Sequence, residues 1–482
     1  MGLTLAAGLT LVAGCAVGPE FHQPAPPETQ TYTSQPLANG AALAPQRIAP
    51  GGAVAAHWWT LFGSPRLDAL EDEALRANSD LRAARAALRQ ARELYLAQRA
   101  ALWPTISLGA NATRAKNSLT IAPPLSDNSE YYTLYQGQLN LSYDVDVFGG
   151  LRRQTESAAA QADSQRFEAE AAYVALTTNV ASAALALAGL EDQLAATEQM
   201  AAADRRVLEL TRQQQRLGQA STLDVAAVAA APEQAEQQAA ALRKQIDQQR
   251  DLLAALLGRP SSAAPTETLS LADVRLPADL PVTLPSQLVQ QRPDVLAAAA
   301  NLHVASAQVG VAAAARLPGF TVTGAAGGTS SELASLLAPD NALWSIAGEV
   351  SQTVFDAGAL RHRQKAAEAA LDQAKAQYRS TVLAALQNVA DTLQGIEEDA
   401  DADRRAAAAQ SVANTSFQLA GAQARRGETG VLPQLTAAAN LAQANVALAQ
   451  TRAARYADTV ALFQALGGGW WDDAQEQADG RR

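Results

Sequence analysis

The sequence predicts a mainly α-helical chain that also carries a small set of membrane-type β-strands, arranged in two copies of one unit. Three observations predict it. Landmarks recur in the same order at nearly constant offsets. Short segments alternate strictly between apolar and polar residues. Long alanine-rich segments place apolar residues at steps of three and four. The chain has 482 residues, with 37 Lys+Arg against 48 Asp+Glu and a net charge of −11. That balance leaves no basic excess to neutralise phosphates, which argues against a nucleic-acid partner. One cysteine excludes a disulfide framework and a cysteine-cluster metal site. The histidines His22, His57, His303 and His362 are far apart, and no GxGxxG, GxSxG, HExxH or phosphate-loop pattern occurs. The composition therefore speaks for a structural, binding or transport protein rather than an enzyme, with no cofactor and no metal.

Residues 1–14 read as an export signal. The run LTLAAGLTLVAG at 3–14 has the length of a signal core and is too short to span a bilayer. It ends at Val12-Ala13-Gly14-Cys15, small residues before a lone cysteine, a pattern that resembles a bacterial lipobox. The expectation is a diacylglycerol and an N-acyl chain on Cys15. Ala16 in the next position resembles the pattern of outer-membrane sorting. No Lys or Arg precedes the apolar run, which departs from a usual signal. Residues 15–57 are rich in Pro, Gly, Ala, Thr and Gln without periodicity and read as an extended linker.

The first copy covers 58–258 and the second 288–466, joined by a proline-rich connector at 259–287. AALWPTISLGA at 100–110 matches AARLPGFTVTG at 314–324, and Pro104 to Pro318 is an offset of 214. Asp80 and Asp294 share that offset. RLGQASTLDV at 216–225 matches RRGETGVLPQ at 425–434, and Gly218 to Gly427 is an offset of 209, as is Leu257-Gly258 to Leu466-Gly467. Each copy reads helix, strand pair, then helical hairpin. The strand pairs fall at about 104–148 and 318–355, and the hairpins at about 151–258 and 358–466. Ile106, Leu108, Ala110 and Ala112 alternate with polar or small residues; so do Leu139, Leu141, Tyr143, Val145 and Val147. In the second copy Phe320 and Val322, then Trp344, Ile346, Val350 and Val354, do the same. Each run approaches the roughly 9–11 residues that a tilted strand needs to cross a bilayer. Tyr131, Tyr132 and Tyr135 suit an interfacial girdle. The hairpin helices carry seams at Tyr378, Val382, Leu386, Val389, Leu393 and Ile396 and at Leu242, Ile246, Gln249, Leu253 and Leu256. From Leu151 to Leu217 only Gly189 interrupts, so one helix could extend ~100 Å at about 1.5 Å per residue. Pro232 marks a kink or local unwinding. The run Glu397, Glu398, Asp399, Asp401 and Asp403 reads as a solvated helix face, since helical phasing scatters its carboxylates. The tail 467–482 reads as disordered.

Four strands cannot close a barrel, because the smallest membrane barrels have about eight and open edges are not tolerated in hydrocarbon. Chains must pool their strands.

The order Cys15-Ala16-Val17-Gly18-Pro19, then Trp58-Trp59-Thr60-Leu61-Phe62, then the duplicated unit resembles the TolC-like outer-membrane factors. The likeness is nearest to the lipoprotein branch serving multidrug efflux of the resistance-nodulation-division type. The stretch QRPDVLAAAANLHVASAQVGVAAAARLPGFTVTGAAG at 291–327 is among the most family-like. The resemblance implies a homotrimer with a twelve-stranded barrel in the outer membrane and a long α-helical tunnel into the periplasm. It implies a periplasmic adaptor and an inner-membrane pump as partners. Polar strand residues Asp144, Asp146 and Glu349 would line the pore. Hairpin-tip residues Gly218, Asp224, Gly427, Glu428 and Gly430 would gate and dock. The second tip departs from the family by having Pro433 and Thr436 where acidic residues are usual. Two other readings share features: a periplasmic adaptor-type lipoprotein, which should lack duplicated strand pairs, and a type I protein-secretion outer-membrane channel. An enzyme on an α+β scaffold would need clustered His, Cys or paired carboxylates.

Overall fold

The computed structural model describes residues 16–34, 43–116, 118, 131–266 and 269–471. Cys15, the signal segment and residues 472–482 lie outside the described residues. The elements run β1 (Arg47–Pro50), α1 (Pro65–Ala77), α2 (Ser79–Ala100), β2 (Thr105–Lys116), β3 (Tyr131–Asp144), α3 (Gly150–Arg216), α4 (Thr222–Ala229) and α5 (Ala231–Leu256). There follow β4 (Asp279–Val282), α6 (Pro285–Gln291), α7 (Pro293–Ala314), β5 (Gly319–Ser330), β6 (Ala342–Ser351), α8 (Ala359–Arg425) and α9 (Val431–Ala465). Both copies thus follow the expected helix, strand-pair, hairpin order, and α3 and α8 are each 67 residues long.

The chain divides into two compact units. The first comprises Ala87–Arg166, Ala297–Arg379 and the N-terminal stretch up to Pro24. Its centre is an antiparallel four-stranded sheet in the order β2-β3-β5-β6. The β3–β5 pairing joins the two copies, with Tyr143 opposite Val322 and Leu139 opposite Ala326.

The second unit comprises Ala25–Ala86, Phe167–Leu296 and Ser380–Arg482. Its core holds Trp58, Phe62, Leu185, Leu257, Leu280, Leu393, Ile396 and Phe463. Trp58 stacks on Phe463 with centroids 4.9 Å apart. Of the expected helical seams, Leu242, Ile246, Leu253, Val389, Leu393 and Ile396 are buried here and Tyr378 is buried in the first unit, whereas Gln249, Leu256, Val382 and Leu386 are half-buried. Gly189 does not interrupt α3. A methyl there would lie 2.6 Å from the Ala453 Cβ, so glycine permits a close crossing. The expected break at Pro232 is present: α4 ends at Ala229, α5 starts at Ala231, and the proline occupies its first turn, where a missing N–H costs nothing.

The repeated landmarks have a physical task. Asn78 Oδ1 accepts from the Asp80 and Leu81 amides at 2.9 and 3.0 Å and so caps α2, while Nδ2 donates to Leu256 O at the end of α5. In the second copy Arg292 takes over the second task, donating to Ala465 O at the end of α9 at 2.9 Å and to Asp294. Gly258 and Gly467 both have positive φ and pack against the start of each copy, at Ala77 and at Gln291.

Three expectations need correction. The linker is not featureless: Arg47–Pro50 pairs in parallel with Asp279–Val282 inside the proline-rich connector. Buried Arg455 fixes the preceding turn by donating to Gln46 Oε1 and to the Leu43 and Ala44 carbonyls. The start of the tail is ordered. Gly467, Gly468 and Gly469 all have positive φ, and the absence of a Cβ lets the backbone lie against Val174 and Ala55. Trp470 then donates to Gln291 O at 2.8 Å. Finally, the acidic run is not wholly a solvated face, because Asp403 Oδ2 accepts from buried Arg455 at 3.3 Å, whereas Asp401 pairs with Arg404 and Arg405 at the surface.

Glu71 on α1 is fully buried, and neither carboxylate oxygen has a hydrogen-bond partner. The facing Ala181 amide belongs to the α3 ladder. Burial pushes the Glu71 carboxyl well above its ordinary range, and Asp68 and Asp72 add to the shift. An acid with a raised folded-state pKa costs no stability below its unfolded pKa. Its penalty grows as pH rises from there towards the folded value. Glu71→Gln should therefore raise the thermal unfolding midpoint at pH 7.5, equivalent to about 1–3 kcal/mol. The gain should vanish near pH 4; calorimetry at the two pH values checks it.

Candidate functional site

The sheet has one apolar and one polar face. Residues directly opposite across a strand pair share a face, so the register sorts every side chain. Ile106, Leu141, Gly324 and Ile346 form one row, and Leu108, Leu139, Ala326 and Trp344 the next. Phe320 and Val350 belong to the same face. Most of these side chains are uncovered, Leu108 and Trp344 being each 77% exposed, while Phe320 at one end meets Phe148. Tyr131 and Tyr135 stand on this face near one end of the strands, whereas Tyr132 falls on the other. Trp103 and Phe355, also exposed, follow the chain at the opposite end. An apolar band flanked by aromatic residues is what a bilayer selects. Two helices, α3 and α7, also contain apolar windows long enough to cross a membrane, but 67% and 50% of those windows is buried in the protein. The sheet, not these helices, presents naked apolar surface.

The other face is a polar surface built from short hydrogen-bonded ladders. Gln136 donates to Gln138 at 2.9 Å, and Gln138 donates to Asn140 at 2.8 Å. Asp144, Thr321 and Glu349 form a single row, and Thr321 Oγ1 donates to Asp144 Oδ1 at 2.8 Å. Two of the expected pore-lining acids are thus brought together. Asp146 is not one of them. It lies past the end of β3 and accepts from the Leu151 and Arg152 amides at 3.0 and 2.8 Å, with Arg152 Nε at 3.2 Å. It caps α3, because the first turn of a helix leaves amides unpaired. Asp356 does the same for α8, accepting from Gly358 and Leu360. Those backbone bonds hold its carboxyl below the ordinary range. The strands are also displaced from expectation: β3 ends at Asp144, leaving Val145 and Val147 outside it, and β6 ends at Ser351, before Thr353 and Val354.

The hairpin tips are a repeated device. Gly218 and Gly427 both have φ of 74°. Gly218 N donates to Gln215 O and Gln219 N to Gln214 O, and Gly427 N and Glu428 N repeat the pattern onto Ala424 and Gln423. This is a helix stop that needs a left-handed residue. Nothing lies within 4 Å of a methyl built on either glycine, so the backbone conformation, not space, requires it. Beyond the stop the two tips differ. Asp224 and Ser221 form a reciprocal cap of α4, with bonds of 2.7 and 3.1 Å, and the Ser221 bonds keep the Asp224 carboxyl low. Gly430 precedes α9 with no side-chain cap. Glu428 lies 3.7 Å from Arg426. Leu217, Leu223 and Val431 are exposed around these turns.

Sequence reasoning missed a third cluster, in the first unit. Ala16 lies against Gly149, at the turn between β3 and α3. Val17 N donates to Phe148 O at 3.1 Å, and its carbonyl accepts from Arg153. Gly18, with φ of 103°, crosses Gly310 of α7 so closely that a methyl would lie 2.4 Å from the Gly310 Cα. Phe21 stacks on His303 at 4.2 Å, His303 meets Glu156 at 2.7 Å, and Arg153 donates to Glu156 at 2.7 Å. Burial opposes ionisation of Glu156, but the bonds from His303 and Arg153 outweigh it and hold the carboxyl below its ordinary range. A lone glycine inside a helical pattern, Gly310, is the one sequence sign of this crossing.

Comparison with known proteins agrees with this geometry. The family model described as outer membrane efflux protein matches residues 70–259 and 284–468. The pyoverdine export outer membrane protein OpmQ of Pseudomonas putida is 32% identical over 86% of this chain and 89% of its own length. Outer membrane protein OprJ of Pseudomonas aeruginosa is 30% identical over 96% of this chain and 94% of its own. Among solved structures, the MtrE outer membrane channel of Neisseria gonorrhoeae superposes with a TM-score of 0.79 at 26% identity, covering 95% of this chain and all but 1% of that one (99%). With its TolC-like duplicated fold and the exposed apolar face of its strands, the chain belongs to the outer membrane efflux protein family and is an efflux channel of the outer membrane.

Proposed function

We propose that this protein is the outer-membrane duct of a tripartite efflux system, assembled as a homotrimer whose three sheets close one twelve-stranded barrel. A single observation carries the assembly. The four-stranded sheet is apolar on one side and polar on the other, yet β2 and β6 are both free edges. Their unpaired backbone groups would be orphaned in hydrocarbon at a cost of several kcal/mol each. Pairing β2 of one copy with β6 of the next removes every edge. The polar faces then enclose water, and no bond is made or broken in transport. The duct needs an energised pump and an adaptor to reach it, and the exposed Leu217, Leu223 and Val431 around the hairpin turns suit adaptor docking. The names of relatives include toluene and antibiotic efflux pumps and pyoverdine export, which fits a conduit that does not itself choose cargo. In mild detergent, light scattering should find a three-chain particle; a monomer with intact strands contradicts the barrel.

The row of Asp144 and Glu349 would place six carboxylates at one level of a trimer. They give the path a modest preference for cations, screened by salt. In planar bilayers under a KCl gradient, Asp144→Asn with Glu349→Gln should move the reversal potential towards zero, and more so at low salt.

We also propose acylation of Cys15. What supports it is the lipobox pattern and the seat of Ala16 at the foot of the sheet, one residue from the thiol and beside the strand ends. The acyl chains would then have a short path to the bilayer, and more than one chain is needed for stable anchoring. Mass spectrometry should find acyl chains on the mature N-terminus and none after Cys15→Ser.

A further inference from the structure

The loop between β5 and β6, residues 331–341, is unusually well built for a connection at a strand end. Ser330 Oγ contacts Ser335 Oγ at 2.7 Å and accepts from the Glu332 amide. Asn341 Nδ2 donates to Ser335 O at 2.7 Å, and the amides of Ser335, Ala338 and Asn341 donate to carbonyls three residues back. The loop therefore satisfies much of its own backbone. It also has a defined seat. Gly137 and Gly328 face each other across β3 and β5, on the same side as Ala110, Ala342, Leu108 and Trp344. A methyl on Gly137 would touch Leu336 Cδ2 at 3.3 Å, and one on Gly328 would strike Leu336 O at 2.1 Å. The loop thus folds back over the apolar side of the sheet, into space that only glycine leaves open. Tyr135 is directly opposite Ser330 at the loop's start, and Tyr131, Arg114 and Lys116 continue that side along the longer β2–β3 hairpin.

Leu336 is the inner contact. Leu333 and Leu337 remain 66% and 89% exposed on a loop already resting against the lipid-facing surface. Polar residues Glu332 and Asp340 stand at the loop's ends. A water-facing loop of this size has no need of three leucines, and this one is continuous with the band of apolar side chains that the bilayer covers. We propose that residues 331–341 form a membrane-docking finger: Leu333 and Leu337 enter the interfacial region of the outer leaflet beside the tyrosine belt, and the occupant of this surface is lipid. The finger would clamp the sheet's shorter hairpin at a fixed depth. This inference rests on the sheet facing lipid.

Site-directed spin labelling of the full chain tests both parts separately. In a Cys15→Ser background, single cysteines replace Leu333, Leu337, Ile346 or Ser345. Labelled protein is reconstituted in phosphatidylethanolamine–phosphatidylglycerol vesicles, and collision with oxygen is compared with collision with a water-soluble nickel chelate. Ile346 and Ser345 are adjacent on opposite faces and calibrate the scale. Labels at 333 and 337 should match the Ile346 label, with an oxygen-to-chelate ratio several-fold above that at Ser345. Ratios at 333 and 337 equal to that at Ser345, while Ile346 reads lipid, overturn the finger and leave the barrel intact. Equal ratios at 345 and 346 overturn the barrel reading itself. Dipolar broadening between labels at 337 on neighbouring copies, without lipid contact, also overturns the proposal, because the occupant is then a second chain.

Discussion

Hydrocarbon offers no hydrogen bonds, and that constraint organises this protein. A sheet of four strands with one apolar side has a place in a bilayer only if its two edges find partners. The chain carries the pattern for such a sheet but half or less of the strands that closure needs. The proposed assembly from sister chains thus rests on backbone chemistry before any interface is considered. On the polar side Gln136, Gln138 and Asn140 bond to one another along the strand.

Duplication then supplies each structural device twice, with different residues doing the same task. Asp146 and Asp356 cap the two long helices. Gly218 and Gly427 end them through the same left-handed turn. Asn78 and Arg292 tie the start of each copy to the end of its own hairpin, one through an amide and one through a guanidinium. The copies diverge where no common backbone geometry is required. The first tip is closed by a Ser221–Asp224 cap and the second is not.

Small side chains set how closely the backbone segments approach. Gly189 against Ala453, and Gly18 against Gly310, are contacts that a single methyl would block. The Ala-rich composition is therefore a packing instruction as well as a helix-favouring one. Against this tight background, Glu71 stands out as an unpartnered carboxylate in the core of the second unit, a site where stability is forgone without a visible return.

Alternation of apolar and polar residues determined the strands and their faces, because the side-chain period of a strand is fixed at two. The repeat offsets determined the element order, and the glycines at 218 and 427 determined the reversals, because few other residues tolerate their φ. Those are local rules, legible one segment at a time. Which strands became neighbours was not legible, since β3 pairs with β5 across 174 residues or more of intervening chain by register alone. Nor was the role of Asp146, which alternation assigned to the pore and the fold assigned to a helix start, because the strand stops two residues earlier. The seat of the N-terminal stretch against Gly149 and Gly310, and of Leu336 on Gly137 and Gly328, depended on distant backbones meeting. Such contacts leave no periodic trace. Only the folded chain brings their partners within reach.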